Sequence, residues 1–315
     1  MCGIVGLFLK NRALESKLGE LFEPMLLEMT QRGPDSTGFA IYRDPVPAGT
    51  VKLVLQHAAP DFDWSHVAAL LTERFKADVD YRRIHTHCLL KLAAAEGAVR
   101  QYLHEALPAV AVVSAGQHIE IYKEVGLPGE VANSFGLKAM RGSHLIGHTR
   151  MATESAVTTA GSHPFSTGSD LCLVHNGSLS NHNRLRRKLE KAGAVFHTEN
   201  DSEVAAQFFD IQMRQGASLE QALRNALTEL DGFYTFTIGT SDGFAVLRDP
   251  IACKPAVMAE TDDWVAMASE YRAIARLPGV ASARLWEPEP ATVYVWEGSG
   301  AAGRQLGSGP LAKAS

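Results

Sequence analysis

Met1-Cys2-Gly3-Ile4-Val5-Gly6 opens the chain, and the reading of its second residue decides the rest. Once the initiator methionine is trimmed, Cys2 becomes the first residue and carries a thiol and a free α-amine on one carbon. An N-terminal α-amine has a pKa of about 7.7–8, close to ambient pH. It can therefore take the thiol's proton and later return it, as an efficient general base should. No separate catalytic histidine is then required. The alternative is that Cys2 is a small residue at the start of a buried strand, Ile4-Val5-Gly6-Leu7-Phe8. These residues alone leave both readings open.

Outward from this strand, Leu14, Leu18, Leu21, Met25 and Met29 recur at helical spacing, so a helix is expected to end near Gly33-Pro34. Thr37–Tyr42 returns to strand, which leaves Arg32-Gly33-Pro34-Asp35-Ser36 as a loop whose polar groups can face a site. From about Asp44 to Arg141 the chain changes character. Strands are expected at Lys52–Gln56 and Arg83–Leu90, helices at Ser65–Phe75 and Ala93–Ala106, and a hairpin through Ala111–Tyr122. The stretch reads as an inserted α/β subdomain. Within it, His85-Thr86-His87-Cys88 puts two histidines on one face of a strand, but no third ligand follows at matching spacing, so no metal is expected.

The stretch from 145 to 203 is the densest in chemistry. Leu145–Arg150 is a short strand leading into Met151-Ala152-Thr153-Glu154-Ser155, and Gly161-Ser162-His163-Pro164-Phe165 follows. Leu171–Val174 is a buried strand running into His175-Asn176-Gly177, where a side-chain amide and a backbone N–H can point at one spot, as in an oxyanion hole. The bland reading of Asn-Gly is a hairpin turn. A helix is expected from His182 to Lys191, and another at Glu203–Gln215 with Asp201 or Ser202 as its N-cap, a reading that competes with any ligand role for Asp201. The last third holds a helix at Leu219–Leu230, a hairpin of Phe233–Gly239 with Phe244–Arg248, and a helix opened by Ser269-Glu270. Residues 298–303 match G-x-G-x-x-G literally, but no helix or second strand is expected to follow, and the tail 298–315 is expected to be disordered.

Length and composition exclude several classes. At 315 residues the chain is long enough for two domains or one large layered one, at roughly 150 residues each. Apolar residues make up 46% and charged ones 21%, which suits a globular protein. A net charge of −5, with no Lys/Arg run interleaved with aromatics, gives no footprint for nucleic acid. No signal-peptide pattern and no apolar stretch near ~18 residues is found, so a cytoplasmic protein with no membrane span is expected. The four cysteines lie far apart, without a C-x-x-C, so neither a disulfide framework nor a zinc ribbon is indicated.

Taken in order, Cys2-Gly3-Ile4-Val5-Gly6, Arg32–Ser36, His148-Thr149-Arg150-Met151-Ala152-Thr153, His175-Asn176-Gly177 and Asn200-Asp201-Ser202-Glu203 resemble the motifs of the class II glutamine amidotransferases, which are N-terminal-nucleophile hydrolases. The resemblance covers about two-thirds of the chain, and is nearest to the free-standing subunits related to glutamate synthase, such as that of methylamine–glutamate N-methyltransferase. It implies an α+β fold, a four-layer αββα sandwich, as an amidotransferase domain over 2–297 with 44–141 as the insertion. It implies Cys2 as nucleophile towards the side-chain amide of glutamine, Asn176 and Gly177 as oxyanion donors, Arg150 on the substrate α-carboxylate and Asp201 on its α-ammonium. Thr153, His163 and Arg32 fall in or near the motifs as further substrate-binding candidates.

The aminosugar synthases of that family carry Trp and His where Met151 and Glu154 stand, which argues against aminosugar synthesis here. No synthase domain follows. The resemblance therefore implies a heteromeric complex in which ammonia passes to a glutamate-synthase-like synthase subunit. No cofactor is expected in this chain; FMN and an iron–sulfur cluster belong to that partner. Hydrolysis of a γ-glutamyl alkylamide by the same thiol, or a catalytically silent regulatory role, are the alternatives.

Overall fold

The computed structural model describes residues 2–152 and 156–298, and the backbone of 304–306. In chain order the elements are β1 (Gly3–Leu9), a 3-10 turn over Arg12–Lys17, α1 (Leu18–Leu27), β2 (Ser36–Tyr42), β3 (Thr50–Gln56), α2 (Trp64–Phe75), β4 (Val79–Ile84), β5 (His87–Ala93), α3 (Glu96–Ala106), β6 (Ala111–Gly116), β7 (Ile119–Val125) and α4 (Pro128–Phe135). They continue with β8 (His144–Arg150), β9 (Cys172–Leu179), α5 (His182–Lys191), α6 (Asp201–Arg214), α7 (Leu219–Glu229), β10 (Gly232–Gly239), β11 (Gly243–Arg248), β12 (Val257–Glu260), β13 (Trp264–Ala268), α8 (Tyr271–Ile274), β14 (Arg284–Trp286), β15 (Thr292–Glu297) and β16 (Arg304–Leu306). Among the described residues, no helix is long and apolar enough to cross a membrane.

Two antiparallel sheets face each other. The first has seven strands in the order β14-β12-β13-β1-β8-β2-β7, and the second has five, β16-β15-β11-β10-β9. Helices α1, α4 and α8 cover the outside of the first sheet, while α6 and α7 contact β9 and β15 on the outside of the second. This is the expected αββα sandwich of an α+β protein. β1 can lie at the centre because all seven of its residues are buried; a strand apolar on both faces needs a layer on each side. Ile4, Leu7, Phe39, Ile146, Val174 and Phe244 belong to one core spanning the first sheet and the inter-sheet space, and Leu173, Phe209, Leu223 and Phe236 to the core under α5–α7.

A third sheet, β4-β5-β3-β6, occupies part of the stretch read as an insertion. Leu53, Leu55, Leu90 and Leu92 on one of its faces pack with Trp64, Leu71 and Leu103 of α2 and α3. Its boundaries are narrower than 44–141, because β7 pairs with β2 in the first sheet. The expected hairpin through 111–122 therefore does not form: β6 pairs with β3 instead. The expected strand at Arg83–Leu90 is two strands, since His85 takes a positive φ of 54° and turns β4 back on β5. The helix expected from Leu14 begins as a 3-10 turn and becomes α-helical only at Leu18. The helix opened by Glu270 is a single turn. Of the tail expected to be disordered, Arg304–Leu306 forms β16 against β15; residues 299–303 and 307–315 lie outside the described ones.

Candidate active site

Cys2 leads directly into β1 and is half-buried. β1 pairs with β8 so that Gly3 faces Thr149, and one step further along the same register Arg150 stands beside Cys2. The Cys2 Sγ lies 3.9 Å from the Met151 carbonyl oxygen. Behind it, the Cys2 carbonyl accepts two hydrogen bonds, from Arg32 Nε at 2.9 Å and from the Asn176 side-chain amide at 3.2 Å. Residues 2, 32 and 176 are thus brought together from three distant segments.

Each segment has a local reason for its place. Gly33 lies so close to β8 that a Cβ would meet the Thr149 carbonyl at about 2.4 Å, so the 32–36 loop can seat only with glycine there. Asp35 then ties the loop to β8: its N–H donates to the Arg150 carbonyl at 3.0 Å and its Oδ2 accepts from Ala152 N–H at 2.7 Å. Arg32 is held in line by Glu270 at 2.8 Å, which also meets Arg272 at 2.7 Å. Its Nη2 is buried without a partner among the described residues.

Asn176-Gly177 is not a hairpin turn. Both residues lie inside β9, facing Thr235 and Tyr234 of β10. Gly177 has φ +151°, and a Cβ there would sit 2.0 Å from the Phe233 carbonyl oxygen and 2.9 Å from His175 Nε2. The strand runs this close to its neighbour because position 177 lacks a side chain.

Beneath β9 lies a group of histidines that motif matching touched but did not assemble. His148 Nε2 is 3.0 Å from the His175 carbonyl oxygen. The His148 and His163 rings stack with centroids 4.0 Å apart, and the Ser202 hydroxyl joins His163 Nε2 at 2.8 Å to His175 Nδ1 at 2.9 Å. Burial is the main cause that lowers the His148 pKa to about 3, against the pull of the His175 carbonyl. Burial, followed by the nearby His148 and His175, sets His163 well below its ordinary value. His163 is therefore a neutral, buried ring hydrogen-bonded to Ser202. The signal was present in the three motif residues His148, His175 and Ser202, but sequence gives no measure of ring stacking.

Asp201 is the first residue of α6, and the helix is capped by neither it nor Ser202 but by Asn200, whose side chain accepts the Ser202 N–H. The Asp201 carboxylate accepts Leu179 N–H at 2.8 Å and approaches His175 Nδ1 at 3.7 Å. Burial pushes its pKa up, but the His175 ring and the Leu179 N–H outweigh this and hold it at about 2. An anion is thereby fixed next to β9. Arg150 is buried, with Nη1 donating to the Ala156 carbonyl at 3.3 Å. Thr153 and Glu154 lie outside the described residues.

His85 and His87 both reach the Thr86 hydroxyl, at 3.3 and 3.1 Å through Nδ1, while Cys88 turns away into the core of the third sheet. No group of three or more His, Cys, Asp or Glu able to hold a metal ion occurs among the described residues. A cavity of about 1090 Å³ opens at the far end of β1, where the third sheet meets the sandwich. Its charges largely answer one another, with Lys52 and Arg43 on Glu120 at 3.2 and 3.5 Å and Lys91 on Asp80 at 3.4 Å.

The sandwich with a thiol at the start of its central strand defines an N-terminal-nucleophile architecture. The solved glutamine phosphoribosylpyrophosphate amidotransferase from B. subtilis shares the fold, with a TM-score of 0.61 at 20% identity over 98% of this chain and 50% of that one. The allosteric regulatory enzyme of purine biosynthesis gives a TM-score of 0.63 at 21% identity, again over 98% of this chain and half of its own. A glutamine amidotransferase domain model matches residues 148–276. The glutamine amidotransferase-like protein GlxB of Rhizobium meliloti is 57% identical over 94% of this chain and 98% of its own length. A putative glutamine amidotransferase of Methanothermobacter thermautotrophicus is 30% identical over 93% and 99%. The chain belongs to the class II glutamine amidotransferases and is an enzyme of that class.

Proposed function

We propose that this enzyme is the glutaminase subunit of an amidotransferase complex. The observation that supports the reading is the hydrogen bond of 3.2 Å from the Asn176 amide to the Cys2 carbonyl, which brings a side-chain donor to the residue that carries the thiol. With Met1 removed, the α-amine takes the Cys2 proton and the thiolate attacks the side-chain amide carbon of glutamine. The Asn176 side chain and the Gly177 N–H hold the oxygen of the tetrahedral intermediate. Its collapse breaks the C–N bond, and the amine returns the proton to the leaving ammonia. Water then attacks the γ-glutamyl thioester and frees glutamate.

Arg150 reads the α-carboxylate, where a guanidinium fork suits the geometry, and Asp201, held anionic, reads the α-ammonium. Requiring both charges selects a free amino acid over a peptide. Ammonia goes to a glutamate-synthase-like synthase subunit that carries FMN and an iron–sulfur cluster, and an N-methylglutamate-forming complex is one form of that assembly. Thr153, Arg32 and His163 support the substrate pocket.

The test is release of ammonia and glutamate by the purified protein, with γ-glutamylmethylamide as the competing substrate. Glutamine is expected to turn over faster, and Cys2→Ala to abolish turnover while the fold survives. Residual activity above a few per cent in Cys2→Ala rejects the nucleophile, and preference for the alkylamide rejects the donor. Copurification of a synthase subunit with the native protein checks the complex.

A further inference from the structure

Among the described residues, Lys123 is a strongly perturbed cation near the site that the chemistry above does not use. It lies in β7, next to Gly38 of β2, and its ammonium is buried. Its Nζ donates to the carbonyls of three alternate residues of one loop, Ala160 at 3.2 Å, Ser162 at 2.7 Å and Pro164 at 3.3 Å, and stands 4.8 Å over the Phe165 ring. Three donors meet three acceptors, so the ammonium is fully spent on backbone. Gly38 lets the loop press onto the sheet, since a Cβ there would meet the His163 carbonyl at 2.1 Å. Beside Lys123, Glu124 accepts from the Thr159 hydroxyl of the same loop and, through Oε2, from Thr86 at 2.7 Å.

That loop is what Arg150 rests on. The Arg150 Nη1 donates to the Ala156 carbonyl, and a Cβ at Gly161 would come 3.5 Å from the same nitrogen. Burying an ammonium costs several kcal/mol unless it is paired, and an apolar side chain would fill the space without that cost. The three carbonyls would then be left without donors. We propose that Lys123, assisted by Glu124, is a positioning residue for substrate recognition: it seats the Ala156–Pro164 loop against the Arg150 guanidinium and so sets the affinity for the amino-acid carboxylate rather than the rate of the thiol chemistry. The inference rests on the reading of Arg150 given above. Burial pulls the Lys123 pKa down to about 8 and Glu203 pulls it back, so the clamp is charged at neutral pH.

The experiment compares Lys123→Met, Glu124→Gln, Arg150→Ala and the double variant Lys123→Met/Arg150→Ala in glutamine hydrolysis. Lys123→Met is expected to raise KM for glutamine tenfold or more with kcat within about threefold. In the Arg150→Ala background the same change is expected to add less than threefold. Glu124→Gln, at a half-buried site where folding is not at risk, is expected to raise KM about threefold. Alkylation of Cys2 by iodoacetamide, which has no amino-acid ends to recognise, is expected to stay within twofold. The proposal is overturned if KM is unchanged in both β7 variants, if kcat or alkylation falls instead of affinity, or if Lys123→Met multiplies KM equally with and without Arg150. An unchanged KM in Arg150→Ala alone retires the reading of that arginine, an outcome separate from an unchanged KM in Lys123→Met.

Discussion

Two donors converge on one carbonyl at the start of β1, and they do different work. Arg32 is braced by Glu270, so its hydrogen bond to the Cys2 oxygen fixes the backbone that carries the thiol. Asn176 has no such brace among the described residues, and its amide is the group available to follow an oxyanion. Asn176→Ala is therefore expected to lower kcat by about 10²–10³-fold, the effect of removing one such donor, with KM for glutamine changed little. Steady-state kinetics on the purified variant checks this, and a loss confined to KM would reassign the residue to binding. Motif order was enough to nominate candidate residues for the site; the hydrogen-bond partners of those residues were not legible. Ser202 was read as a possible cap because Ser at a helix start has a local explanation. Its bridging of His163 and His175 depends on a helix, a strand and a loop that no local pattern brings together.

At the scale of elements, β9 shows where local chemistry loses to packing. Asn-Gly between apolar runs is a strong hairpin signal, yet here both residues stay in the ladder opposite Tyr234 and Thr235. Gly177→Ala is expected to destabilise the protein by at least ~2 kcal/mol, because its φ and the 2.0 Å approach to Phe233 both exclude a Cβ. Urea unfolding of the variant measures this, and a midpoint equal to the wild type's would show that β9 and β10 separate freely at this point. The missed β6–β7 connection has an equally specific cause. Gln117-His118 looks like a two-residue turn, but the Asp170 carboxylate takes the N–H groups of Gln117, His118 and Ile119 at 2.8, 2.7 and 2.9 Å. A residue some 50 positions away thus turns the chain out of one sheet and into another. β1, β2, β8, β10 and β11 were legible because each is a short apolar run bounded by polar residues or glycine.

Across the whole molecule, burial of imidazoles ties stability to acidity. Burial brings His87, His144 and His148 each down to about 3, against about 6.5 in an unfolded chain. Between these values the unfolded state binds more protons, so stability is full above about pH 6.5 and falls as pH drops through that window. At pH 5 the cost is about 2 kcal/mol per ring, at ~1.4 kcal/mol per pH unit. Urea midpoints measured from pH 7.5 to 5 are expected to fall steeply, and His144→Phe, which keeps a ring against Tyr42, to flatten the slope by about one proton. A midpoint independent of pH over that range would refute neutral burial.

The third sheet leaves and rejoins the sandwich at nearly the same place. Val46 N–H bonds to the Gln117 carbonyl, and Arg43 N–H to that of His118. The two ends of the excursion are thus latched together before β3 begins, like the neck of a pouch. Lengthening, shortening or exchanging the pouch leaves β2 and β7 in step, and with them the Lys123 ammonium. A family built this way can vary the contents of that pouch from member to member without re-engineering the machinery at Cys2.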